Sequence, residues 1–583
     1  MLLVEENGHR NGEEEYAQDG AVDLKGRPVL RSKTGRWKAC SFILVYEIFE
    51  RLAYQGIAAN LVIYLTRELH QGTVKASNNV TNWSGTVWMT PILGAYVADA
   101  YLGRFWTFLI GTSIYLMGMI LLTLVVSLRA LRASPCTNNG EDCSEASSMK
   151  VGMFYLALYI IAVGNGGTKP NISTLGAGQF DEFEPKEKAQ KLSFFNWWVF
   201  GTFIGFLISE TVVVYIQDNV GWSLGYGLPT VGLGISILVF LLGVPFYRHK
   251  LPSGSPFTKM AKVILAAFTK WKVPLPDDPN DLYELSWEEY TKKGIHKIDH
   301  TSSLRCLDKA AVKSGITKRP WTLCRVTQVE ETKQIVKLLP LLLVTFIPSI
   351  ISSQIHTLFI KQGTTLDRSM GPHFSIPPAC LTVFTTIFML ISIVLYDRCF
   401  VPAIRLYTKN PRGITMLQRF GVGLVLHVVI TITACLAERK RLSVARENGI
   451  VGKKEIVPLS VFILLPQFGL MGLADVFLGI SKQEFFYDQA PEGMKSLGAS
   501  FFTTSMGVGN FLSSILLTMV SNITKEHGQG WILDNLNVSH LDYYYGFLAV
   551  LAFLNLIFFW FLAKFYVYNV EVNQKSQDNN VNS

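Results

Sequence analysis

The sequence predicts an all-α membrane protein whose helices cross the bilayer twelve times. Three observations carry this. Only 17% of residues are charged against 49% hydrophobic, with a mean hydropathy of +0.28. Apolar stretches near twenty residues recur along nearly the whole chain, and basic residues gather in the loops between them. Soluble domains carry about 25% charged residues, and about twenty apolar residues span a hydrocarbon core of roughly 30 Å. The formal net charge of +9 therefore reads as membrane topology rather than a nucleic-acid groove.

Twelve spans are expected at 38–66, 83–102, 104–128, 151–175, 191–216, 224–247, 334–358, 376–397, 413–436, 456–481, 495–520 and 543–568. Residues 1–35, with the acidic run Glu13, Glu14 and Glu15, read as a polar cytosolic tail without the pattern of a cleaved signal. Residues 570–583 read as a second cytosolic tail. A six-helix bundle over 36–247 and another over 334–569 flank the linker 248–333, which holds sixteen Lys/Arg and ten Asp/Glu. An even span count around a basic middle segment puts that linker and both termini in the cytosol. Within the linker, Ser255–Trp271 has helical spacing of apolar residues and is expected on the membrane surface.

The sequons at Asn79 and Asn537 fall in predicted outer loops after spans 1 and 11, which makes both candidate glycosylation sites. Cys136 and Cys143, in the outer loop after span 3, are candidates for a disulfide. Six spans, a basic linker and six more is the layout of the major facilitator fold, with its solute site at the midplane. The stretch from Gly94 through Asp99 to Gly103 and Arg104 resembles that fold's signature loop, a tight turn whose acid and base could latch helix ends.

Charges inside the spans point to function. Glu47, Glu50, Arg51 and Tyr54 stand at i, i+3, i+4 and i+7 in span 1 and share one helix face. Ionisable groups in a bilayer are expensive and mark an ion or solute path. One arginine for two glutamates leaves an acid over, a candidate proton carrier. In span 4, the Lys169–Pro170 step is expected to break the helix, and the preceding glycines let backbones approach closely. Lys169 offers a cation to an acidic group. Asp475, a lone acid midway along the apolar run of span 10, is its candidate partner from the other half. The second half otherwise reads as carrying fewer buried charges than the first.

Over residues 30–570 the chain resembles the proton-dependent oligopeptide transporter family in its plant nitrate/peptide branch, most like the group containing plant peptide transporter three. The resemblance rests on Glu47-x-x-Glu50-Arg51 with Tyr54 and Gly56, on Gly167 to Thr174, on Phe195-Asn196-Trp197-Trp198 and on Glu484-Phe-Phe-Tyr-Asp488-Gln489. It implies proton coupling at Glu47, Glu50 and Arg51, and solute contact at Tyr54, Lys169 and Asp475. Departures from the family pattern fall at Gln55, Phe203 and Gly178, and Asp475 stands for a longer glutamate. Nitrate carriers of the family have histidine where Ser352 stands, which argues against high-affinity nitrate transport.

The function expected is proton symport of a small solute, foremost di- or tripeptides, with low-affinity nitrate or a carboxylate hormone as the alternative. The proton gradient supplies the energy, and neither cofactor nor metal is called for. No HExxH, P-loop or GxSxG pattern occurs, so a polytopic membrane enzyme is not expected. The expected partners are solute, protons and lipid, without nucleic acid. The expected state is a monomer in the plasma membrane, with the vacuolar membrane as the other location.

Overall fold

In the computed structural model of the chain, the described residues are 16–568, without 18, 133–145, 182, 251–253, 277, 287–288, 291–296, 314–320, 410–412 and 527–529. Among them, nine helices are long and apolar enough to cross a membrane, and the pair Val326–Val344 and Phe346–Gly363, bent by 42°, makes a tenth. One of the nine, Thr73–Ser127, is 55 residues long and holds spans 2 and 3 in succession. They turn at Gly103, whose φ of 76° suits glycine. Span 1, Arg36–Ala58, is helical too, and it falls outside the nine because Glu47, Glu50 and Arg51 interrupt its apolar run. The chain is thus a helical multi-pass membrane protein, and each of the twelve expected spans coincides with helix, although the tenth becomes helical only after the strand Val457–Ser460 that occupies its expected start.

Several helices outrun their apolar cores. Span 5 begins at Pro185, and span 9 continues to Glu447. Polar ends of this kind leave no hydropathy signal, yet they continue the backbone hydrogen bonding. Span 4 runs unbroken from Ser148 to Ala177 through Pro170, so the expected break at Lys169–Pro170 does not occur. Side chains add hydrogen bonds to carbonyls on either side of the one the proline leaves free. Asn171 Nδ2 donates to the Gly167 carbonyl at 2.8 Å, and Thr168 Oγ1 to that of Asn165 at 3.1 Å.

The chain divides into two compact units. The first comprises the described residues within Met1–Ile57, Leu93–Leu128 and Leu156–Ser253. Its helices pack backbone to backbone: a Cβ on Gly111 would lie 2.7 Å from the Gly167 Cα, and one on Gly205 2.7 Å from the Ile48 carbonyl oxygen. Small residues replace hydrophobic driving force as the means of close helix packing in lipid. The N-terminal segment straps this unit. Val22 and His249 exchange two backbone hydrogen bonds at 2.9 Å, Arg31 reaches Glu184 at 2.6 Å, and Arg248 reaches Glu187 at 2.8 Å.

The second unit comprises the described residues within Ala58–Ile92, Arg129–Tyr155 and Gly254–Ser583. Asp534 accepts from the Thr73 amide at 2.6 Å, and Asn78 Nδ2 donates to Thr518 Oγ1 at 2.7 Å. A core through Phe359, Phe468 and Tyr545 lies beside a parallel pair of short strands, Leu366–Asp367 with Val457–Ser460. The linker helix is Pro256–Thr269, capped by Ser255. It buries Val263 and Ala266 against Leu282, Ala310 and Val329, and leaves Phe268 and Trp271 exposed.

Candidate functional site

In the first unit, the helical spacing of span 1 brings Glu47, Glu50, Arg51 and Tyr54 together, all less than 9% exposed. Arg51 Nε donates to Glu47 Oε1 at 2.6 Å and stands 3.3 Å from Glu50 Oε2. The arginine is therefore shared by both glutamates, and no acid is left over, contrary to the simple charge count. Thr202 Oγ1 also donates to Glu47 Oε1 at 3.2 Å, and Asn165 Nδ2 donates to Glu50 Oε1 at 2.9 Å. What is left over is one oxygen of Glu47. Glu47 Oε2 is buried without a hydrogen-bond partner, and Glu50 Oε2 is buried with no contact but the Arg51 guanidinium it faces at 3.3 Å. Buried polar atoms nearly always find partners, so the unpartnered Glu47 Oε2 is exceptional within this cluster.

Lys169 belongs to the same cluster, with its ammonium 5.0 Å over the Tyr54 ring, a cation–π contact. Gln55 Nε2 donates to Glu210 Oε1 at 2.7 Å, which brings a third buried acid near span 1. Asn165, Thr202 and Glu210 were missed in the sequence. Only Glu210 had a signal, an acid inside the apolar run of span 5. Asp99 lies in a π-helical turn, Ala98–Leu102, and Arg104 opens the next helix beyond Gly103. Among the described residues no ion pair joins them, so the expected latch is not formed here. The left-handed glycine between them turns the chain before the arginine.

The second unit holds Asp475, which opens another π-helical turn, Asp475–Gly479. It lines a cavity of about 230 Å³ together with Lys482, His427, Ser349, Ser352 and Phe502. The expectation that the second half is poor in buried charge fails. Lys482 is 3% exposed, and Glu438 and Arg441 are wholly buried as a bidentate pair at 2.6 and 2.8 Å. Glu438 and Arg441 sit in a run of charges that looks solvated, but their i, i+3 spacing turns both inward. Lys169 and Asp475 thus lie in separate units, each with its own surroundings.

The remaining candidates are Asn79, Asn537, Cys136 and Cys143. Asn79 is inside the helix Thr73–Val97 rather than in a loop, and its Nδ2 donates to Gln71 and Tyr155 at 3.0 and 2.6 Å. Asn537 is 6% exposed; its Nδ2 donates to the carbonyls of Gly452 and Glu455, and its Oδ1 accepts from Arg441 at 2.8 Å. A glycan on Asn537 would displace both carbonyl contacts. Cys136 and Cys143 lie outside the described residues.

The family model described as PTR2, POT family, matches residues 105–532. The chain is 59% identical to Protein NRT1/ PTR FAMILY 5.2 of Arabidopsis thaliana, over 98% of this chain and 97% of that one. It is also 59% identical to Protein NRT1/ PTR FAMILY 5.3 of the same plant, over 99% and 97%. The crystal structure of an auto inhibited POT family peptide transporter superposes with a TM-score of 0.66 at 19% identity, over 91% of this chain and 98% of that one. The in meso structure of the POT family transporter PepTSo gives 0.65 at 20% identity, over 90% and 97%. Those two structures share its major facilitator fold. With span 1 charged, span 4 rich in glycine and relatives matched nearly end to end, the chain belongs to the POT family of transporters, within the plant NRT1/PTR group.

Proposed function

We propose that this transporter is a proton symporter that imports small solutes, foremost di- and tripeptides, by alternating access at the plasma membrane. The observation that carries the reading is the pair of buried glutamates sharing Arg51, with Glu47 Oε2 left unpartnered. A proton taken up there changes the charge of the cluster by one and so changes its hold on Lys169 and on a bound carboxylate. A proton moving through ~100 mV releases about 2.3 kcal/mol, and each pH unit adds about 1.4 kcal/mol. One to two units together with that potential support roughly a thousandfold accumulation of a neutral solute. The name of one structural neighbour, a peptide transporter, agrees with the solute class.

The alternative is low-affinity transport of nitrate or a carboxylate hormone, favoured by the cations Arg51, Lys169 and Lys482. Uptake into vesicles holding the purified protein, driven by an imposed pH gradient, decides between them. Dipeptide accumulation that collapses with the gradient is the expected result. Accumulation of nitrate or a carboxylate hormone without dipeptide would replace this reading with the alternative.

A further inference from the structure

The loop between spans 2 and 3 leaves one of its charges unused. Gly103 turns the chain between Asp99 and Arg104. Among the described residues no hydrogen bond or ion pair engages the Arg104 guanidinium. Arg104 lines a cavity of about 130 Å³ in the first unit, where the strap meets the start of span 3 and the end of span 4. The segment after span 6 adds Arg248, His249 and Lys250 to its wall. These cations differ in how far they are committed. Arg248 is held by Glu187 and by the carbonyls of Arg31 and Thr34. Lys250 meets Asp19 at 3.1 Å, which occupies one of its three donors. Among the described residues the lining holds one acid, Asp23, whose Oδ1 accepts the Lys25 and Arg27 amides at 2.8 and 2.9 Å. His249 Nε2 is buried without a hydrogen-bond partner, and the ring stands edge-on to Phe105 with centroids 4.9 Å apart. Leu24, Leu102 and Trp106 belong to the same lining and are exposed. Aromatic and apolar side chains beside cations suit the headgroup depth of a membrane, and basic pockets on the cytosolic side suit phosphorylated headgroups.

We propose that this cavity binds a phosphate monoester, the group that phosphorylated inositol lipids present, with Arg104 as the anchoring cation and Lys250 as the second. A phosphomonoester carries a charge of about −1.5 to −2 at neutral pH, and a guanidinium fork meets two of its oxygens at once. A carboxylate, with a single charge, would answer only one of the two cations. His249 Nε2 adds a hydrogen-bonding nitrogen at the wall. A ligand bound there ties the strap to the start of span 3. None of the lining residues belongs to the Glu47–Arg51 cluster or to the cavity of Asp475, so the site goes beyond the transport reading and does not rest on it.

Calorimetric titration of the full-length protein, held in nanodiscs of phosphatidylcholine, with inositol trisphosphate tests it. Saturable binding is expected, and R104Q and K250Q should each weaken it about tenfold, the scale of one charge-assisted hydrogen bond. R104K, which keeps the charge and loses the fork, should lose about threefold. K272Q, at an exposed linker lysine outside the lining, should bind like wild type. Nanodiscs carrying a phosphatidylinositol monophosphate distinguish the source of the phosphate. Wild type should melt higher in them than in phosphatidylinositol discs, and R104Q should erase the difference. That difference assigns a lipid headgroup, whereas trisphosphate binding without it assigns a soluble phosphate; the site stands in both cases. It is overturned if wild type responds to neither probe, if R104Q binds like wild type, or if K272Q weakens binding as much as R104Q. Should R104Q not fold, K250Q takes its place, and K250Q binding like wild type overturns the site.

Discussion

Replacing Arg441 with methionine tests whether the buried ion pair of the ninth span holds the second unit together. Its guanidinium donates twice to Glu438, once to Asn537 and once to the Leu536 carbonyl, all between 2.6 and 2.8 Å, with both charged side chains at 0% exposure. In R441M, Glu438 keeps only the donation from Gln362 Nε2 at 2.7 Å. Breaking a fully buried pair from one side costs about 3–5 kcal/mol, because the partner stays charged and desolvated. Removing both charges is commonly neutral or better, so E438L/R441M should recover most of the loss. The expected coupling is at least ~2 kcal/mol, the upper range for residues in contact. Denaturant unfolding in mixed micelles, with thermal survival by size-exclusion as a second readout, measures the cycle. R441M within ~1 kcal/mol of wild type, or a double variant no better than the single, would refute the reasoning.

Other expectations follow from single contacts. E47Q and E50Q should each abolish gradient-driven uptake yet retain counterflow exchange, which needs no net proton movement; full driven uptake in both variants would end the proton-coupling reading. Asn165→Leu removes the donor to Glu50 Oε1 and should cut driven uptake about tenfold, the scale of one orphaned buried acceptor, with expression unchanged as the control. Asn537→Gln should destabilise by ~1–3 kcal/mol, because it disturbs contacts to Arg441 and two carbonyls. Burial pushes the His249 imidazole down to about 4, with Asp23 opposing weakly, so the released strap binds a proton more readily below its ordinary value near 6.5. The strap's stability is complete above that value and falls as pH drops toward 4. Hydrogen exchange over residues 16–31, corrected for intrinsic rates, should be faster at pH 5 than at pH 7.5, and H249F should flatten the difference.

The spans were legible because hydropathy reports what lipid demands, and the span 1 face was legible because helical spacing alone brings Glu47, Glu50, Arg51 and Tyr54 together. Partners from other helices were not. Asn165 and Thr202 are ordinary polar residues in the sequence, and only packing turns them onto Glu50 and Glu47. The charge count gave an acid too many for the same reason: it could not show one guanidinium within reach of two carboxylates. Lys482 was within reach of sequence reasoning, since it follows Asp475 by two helical turns. Glu438 and Arg441 were hidden by their neighbours, because Arg439 and Lys440 between them are exposed and make the stretch look like a solvated end.

A second regularity joins backbone to chemistry. Among the described residues, four spans contain a π-helical turn: Ala98–Leu102, Ser209–Val213, Tyr396–Phe400 and Asp475–Gly479. Each carries an acid in its first two positions, namely Asp99, Glu210, Asp397 and Asp475. A π turn widens the helix by one residue and loosens its hydrogen bonding, which costs stability in a medium with no water to repair it. Such turns persist where they re-aim a side chain that a regular helix would point elsewhere. Glu210 thereby reaches Gln55, and Asp475 faces the cavity it shares with Lys482. Both are side chains that an apolar helix in lipid has no structural reason to carry. Charge and irregular backbone each carry a cost in this environment, and at Glu210 and Asp475 the two costs fall on the same turn.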